Sequence, residues 1–101
     1  MSMANLQRMA MQMQQAVERV KRELAEATVD GSAGGGVVTA IVTGDQKLVS
    51  VTIDRSAVDP ADVDMLQDLI VAAVNDGLRA ARELGDAKMG AVTGGLRLPG
   101  M

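Results

Sequence analysis

From Leu6 to Ala27 apolar side chains return every three or four residues, and no glycine or proline interrupts them. Leu6, Met9, Met13, Ala16, Val17, Val20, Leu24 and Ala27 make one stripe, and Gln, Glu, Lys and Arg fill the other face. That repeat belongs to a helix with a single apolar face. The spacing predicts one helix over residues 4–27, about 36 Å long at 1.5 Å per residue. A chain of 101 residues is expected to form one domain, and a core that small cannot cover such a helix. Part of it must project into water or lie against another subunit.

What could fill the core is restricted. The chain has no Phe, Tyr, Trp, His or Cys, and eight methionines stand in for the missing aromatic volume with soft, adaptable packing. The same absences exclude Cys and His nucleophiles, a histidine general base and Cys/His zinc sites. They also remove the aromatic platforms on which single-stranded nucleic acid usually stacks. The absence of cysteine fits a reducing compartment. No signal-peptide core opens the sequence, and the longest apolar run, Leu69 to Val74, is far too short to cross a bilayer. A soluble, cytoplasmic protein with no membrane contact is expected.

Beyond the first helix, Thr28-Val29-Asp30 is a candidate short strand, Gly31 to Gly36 a turn, and Val37 to Thr43 a strand rich in β-branched residues. Gly44-Asp45-Gln46 reads as a hairpin turn with Gly44 free to take positive φ, and Leu48 to Ile53 as the partner strand,. Val49, Val51 and Ile53 should point one way, Ser50 and Thr52 the other. Val37 and Ile41 on one face, and Val38, Ala40 and Val42 on the other, predict a sheet that is apolar on both sides. Helices would then cover one face and a second sheet the other. Asp59 is expected to cap the next helix, with Pro60 at its first position and Asp62 as a capping-box acid. Val63, Leu66, Ile70, Ala73, Gly77, Ala80 and Leu84 form its stripe, and Gly85 should end or weaken it. The order is helix, two or three antiparallel strands, helix: a small α+β layer. Residues 1–89 are expected to be the domain and residues 90–101, rich in glycine with Pro99, a flexible tail.

Several runs, taken in order, resemble the YbaB/EbfC family of bacterial nucleoid-associated proteins. They are Met9-Ala10-Met11-Gln12-Met13-Gln14-Gln15, Val29-Asp30-Gly31-Ser32-Ala33-Gly34-Gly35-Gly36-Val37-Val38 and Val51-Thr52-Ile53-Asp54. Leu66 to Asp76, Lys88-Met89-Gly90 and Gly95 to Met101 complete the match. The resemblance implies an α-β-β-β-α subunit with two layers, a tight homodimer joined through the sheets, and helical arms that grip duplex DNA. It also implies a role in nucleoid organisation and gene regulation.

Local patterns with other meanings are weaker. The glycine run lacks the Gly-Lys-Ser/Thr of a phosphate loop and leads into a strand rather than a helix. Asp59, Asp62, Asp64 and Asp68 lack the spacing of a calcium loop and suit the positive end of a helix. Ser32, Ser50 and Ser56 have no evident base, so no enzyme, metal or cofactor is expected.

The net charge of −3 argues against a general polyanion binder, but its distribution is uneven. Residues 1–29 carry four basic and three acidic groups, residues 30–64 two and six, and residues 65–101 four and four. The terminal helices are therefore the expected contact with any polyanion. Glu18–Arg22, Arg19–Glu23, Arg22–Glu26, Arg79–Glu83 and Arg82–Asp86 are spaced as i,i+4 ion pairs. Arg8, Lys88 and Arg97 have no acid three or four residues away, and Lys21 has only Glu18. These four are the leading candidates for phosphate contact, with Arg22, Arg79 and Arg82 assisting. A different class remains open: a dimeric protein-interaction module whose Met-rich helix docks a partner that handles DNA.

Overall fold

A computed structural model describes residues 2–94. Helix α1 (Met3–Glu26) leads into strand β1 (Thr28–Ala33), a tight glycine turn, β2 (Val38–Thr43), β3 (Leu48–Ile53), and then helix α2 (Val63–Thr93). The strands form one antiparallel sheet in the order β1-β2-β3. This is the expected α+β subunit, with both helices on one side of the sheet.

β1 is longer than expected. Gly31, Ser32 and Ala33 pair with Ala40, Thr39 and Val38, and the turn is confined to Gly34–Gly36, whose φ values of 64°, 72° and 97° suit glycine,. Gly31 is a glycine for a different reason. It is buried against α2, and a Cβ there would stand 2.1 Å from the Gly77 nitrogen and 2.3 Å from the Ala73 carbonyl oxygen.

Strand alternation decides which face is apolar. Val38, Ala40 and Val42 are fully buried under the helices, joined there by Ala33, Val51 and Ile53 and by Leu66, Leu69, Ile70 and Val74 of α2. The opposite face is not apolar. Register places Thr39 with Ser32 and Thr52, and Ile41 with Asp30 and Ser50, so hydroxyl groups dominate it. Val37 ends the glycine turn rather than extending β2. A bulge between Ile41 and Val42 sets Leu48 opposite Val42 and leaves Val49 exposed instead of in line with Val51 and Ile53.

The hairpin turn also differs in detail. Gln46, not Gly44, takes the positive φ. Gly44 is buried, donates its N–H to the Ala27 carbonyl at 2.9 Å, and leaves room for Leu24, whose carbonyl oxygen would lie 2.8 Å from a Cβ.

α2 starts later and ends later than its sequence suggests. Asp62 is the N-cap, accepting from the Met65 N–H at 3.2 Å, while Asp59-Pro60-Ala61 form a separate turn closed by Asp59. The helix passes through Gly85 and Gly90 and stops at Gly94 in the left-handed conformation. The first four residues of the expected tail are thus helical, and residues 95–101 lie outside the described residues. α1 and α2 run antiparallel where they meet: Leu24 lies beside Gly85 and Glu23 beside Lys88.

Only the second half of α1 is covered. Val20 and Leu24 are buried, whereas every residue from 2 to 15 is exposed. The first half therefore projects as an arm. The radius of gyration is 19.3 Å and the longest extent 70 Å, against a radius of about 13 Å for a compact chain of this size.

Candidate nucleic-acid interface

The arm is nearly free of charge. From Met3 to Val17 its one ionisable group is Arg8, and its polar positions are Gln and Asn. Helical geometry brings residues 8, 15, 19 and 22 to one outer face, away from Val20 and Leu24. Arg8 and Arg22 stand on it about 21 Å apart along the axis. Neither has an ion-pair partner among the described residues. Arg22 does not form the pairs expected with Glu18 and Glu26; Glu18 is engaged by Lys21 at 3.6 Å, and Arg19 faces Glu23 at 3.9 Å.

Acids collect at the other end of the molecule. Asp59, Asp62, Asp64 and Asp68 are all exposed at and just before the first turns of α2. Since α2 and α1 overlap only through their C-terminal halves, this acidic end and the arm tip are at opposite ends of the long axis. A polyphosphate would be repelled at one end and admitted at the other.

The remaining candidates divide by environment. Arg79 is held between two carboxylates, donating to Glu83 Oε1 at 2.8 Å and Asp76 Oδ1 at 2.9 Å. Asp76 in turn accepts the Ser32 N–H on the open edge of β1 at 3.1 Å. The Arg79 bond, followed by the Ser32 bond, holds the Asp76 carboxyl below the usual carboxylate range. Asp76, and secondarily Glu83, raise Arg79 further. Asp76, held by Arg79 on its own helix, therefore ties α2 to β1. Lys88 has no acid nearby on its own helix, yet its Nζ donates to Glu23 Oε2 across the helix pair at 3.3 Å. Sequence spacing cannot reveal that partner, 65 residues away. Arg82 is exposed beside the hairpin, sharing a shallow groove with Gly85, Asp86 and Met89, and the expected ion pair with Asp86 does not form. Arg97 lies outside the described residues. Arg55, not a sequence candidate, is exposed after β3 but stands between Asp54 and Asp59 in the acidic segment.

The described residues contain no cluster of acids, His or Cys able to hold a metal ion, and no helix among them is long and apolar enough to cross a membrane.

Comparison with known proteins bears on family and fold. The sequence profile of the YbaB/EbfC DNA-binding family matches residues 1–96. A nucleoid-associated protein of Syntrophobacter fumaroxidans is 53% identical over 89 residues, 88% of this chain and 81% of that one. Its counterpart in Saccharopolyspora erythraea is 52% identical and covers 99% of this chain and 94% of its own; that of Moorella thermoacetica is 50% identical and covers 99% of each. Among solved structures, an uncharacterised Helicobacter pylori protein superposes with a TM-score of 0.70 at 25% identity, over 82% of this chain and 87% of that one.

Proposed function

The chain belongs to the YbaB/EbfC DNA-binding family, a nucleoid-associated protein by that membership, and from this premise we propose how it holds DNA. It binds duplex DNA as a homodimer, chiefly through phosphates, and so takes part in nucleoid organisation and gene regulation. The outer face of α1 makes the leading contacts. Arg8 and Arg22 supply them first, because no ion pair must be given up. Lys21 and Arg82 follow, with Arg97 contributing from the C-terminal segment. Arg79 and Lys88 act within the subunit, Lys88 as a tie between the two helices and Arg79 by holding Asp76 on its own helix.

One observation carries this reading: a projecting helix whose first half has a single charge, Arg8, and no acid, at the opposite end of the molecule from the acidic start of α2. With no aromatic residue to stack on bases, sequence preference would come from DNA shape or from the spacing of the two arms. The dimer is supported by the extended shape of the single subunit and by the exposed Leu48 and Val49 on β3, an edge strand open to pairing. The hydroxyl-rich outer face of the sheet favours that edge over face-to-face sheet packing.

The experiment is a titration of a fluorescent duplex at low salt, with mass measured by light scattering. A dimer whose affinity falls at least severalfold on Arg8→Gln plus Arg22→Gln is expected. Unchanged affinity of that variant contradicts the outer face of α1 as the contact.

A further inference from the structure

A chain without Cys, His, Trp or Tyr has methionine as its one readily oxidised side chain. Four of its eight methionines stand on the arm, with Met3 71%, Met9 56%, Met11 59% and Met13 37% exposed. Every arm residue from 2 to 15 is exposed, so it is chiefly the arm's own residues that keep it helical. Isolated helices of that length are marginal in water, and here they rely on good helix formers, Met, Ala, Leu, Gln and Arg.

We propose that these four thioethers form a reversible oxidation site that sets whether the arm is helical. A peroxide transfers one oxygen atom to the sulfur. The O–O bond breaks, an S–O bond forms, the sulfur loses two electrons, and water leaves when the oxidant is hydrogen peroxide. The flexible apolar side chain becomes a polar sulfoxide that competes for the backbone hydrogen bonds of the free turns. The return step passes the oxygen to a dithiol, which leaves as disulfide and water. Val20 and Leu24 remain buried throughout, so the domain keeps its fold while the arm unwinds. This does not depend on DNA binding.

The test treats the full chain with hydrogen peroxide, maps sulfoxides by peptide mass spectrometry and follows ellipticity at 222 nm. Met3, Met9 and Met11 should oxidise ahead of Met89, which is partly buried in the α1–α2 groove. About a quarter of the helical signal should be lost, because the arm is about that share of a 24-residue α1 and a 31-residue α2. A methionine sulfoxide reductase with a dithiol should restore it. Met65 is also exposed but begins a helix anchored on the sheet. The variant Met3→Leu, Met9→Leu, Met11→Leu, Met13→Leu keeps helix-forming side chains and should hold its signal under the same oxidant. Oxidised arm methionines with unchanged ellipticity overturn the proposal, as does an equal loss in the leucine variant.

Discussion

Gly31 on β1 and Gly77 on α2 meet backbone to backbone, so close that a Cβ on Gly31 would lie 2.1 Å from the Gly77 nitrogen. The contact seats the long helix directly on the sheet. Gly31→Ala must push α2 away from β1 and is expected to cost at least about 2–3 kcal/mol, the upper range of overpacking. Gly77→Ala meets the buried Val42 side chain, Cγ2 at 2.7 Å, rather than backbone at closer range, and should cost less. Denaturant unfolding of the two variants tests the order.

Gly85 is the contrasting case. Its Cβ would meet Leu24 Cδ1 at 3.8 Å, ordinary contact distance, inside an uninterrupted helix. Gly85→Ala should therefore stabilise the protein by about 0.5–1 kcal/mol from helix propensity, read as a higher unfolding midpoint.

The two halves of α1 should respond differently to the same kind of change. Leu24→Ala opens a cavity between α1, the hairpin and α2 and should cost about 2–4 kcal/mol. Leu6→Gln and Met9→Gln alter exposed positions of the arm and should stay within about 0.5 kcal/mol of wild type. A large loss from the arm substitutions, measured on dilute protein, would show that the arm is covered in solution.

Acid sensitivity follows from Asp76 and Asp54. Both carboxyls sit below their ordinary values, Asp76 through Arg79 and then Ser32, and Asp54 through the Ser56 N–H and hydroxyl. A carboxylate depressed in the folded state contributes stability that is fully present above its unfolded value, about 3.9, and is lost as pH falls through the folded value. Stability should therefore be flat from pH 5 to 8, where no side-chain histidine or cysteine titrates, and decline below about pH 4. Asp76→Asn should flatten part of that acid limb; thermal melts from pH 2.5 to 8 report it.

The helices were legible because their apolar stripes repeat over many turns, and the β2–β3 hairpin because β-branched runs flank a short polar turn. What escaped depends on contacts distant in sequence. Gly31 reads as a turn glycine beside Gly34–Gly36, and only the approach of α2 shows it to be a strand glycine. Gly44 likewise answers to Leu24 rather than to its own φ. Val37 looks like part of β2, yet it ends the glycine turn and packs against the core, which leaves Ile41 among hydroxyl-bearing neighbours on the outer face. Local charge spacing made Lys88 look unpaired, while its partner Glu23 arrives from the other helix. Arg22 fails in the opposite sense: Glu18 and Glu26 stand at the right spacing, yet Glu18 goes to Lys21 and no pair with Glu26 forms among the described residues.

The central claim, that Arg8 and Arg22 on the outer face of α1 neutralise DNA phosphates, is tested most directly by the salt dependence of duplex affinity. Log K against log salt should be linear and steep for wild type, falling by about 0.9 for each phosphate neutralised. Arg8→Gln and Arg22→Gln should each reduce the slope by about 0.9 per arm engaged, while Arg79→Gln, whose guanidinium is already held by Asp76 and Glu83, should leave it nearly unchanged. Slopes for Arg8→Gln and Arg22→Gln equal to wild type, or affinity indifferent to salt, would contradict the account.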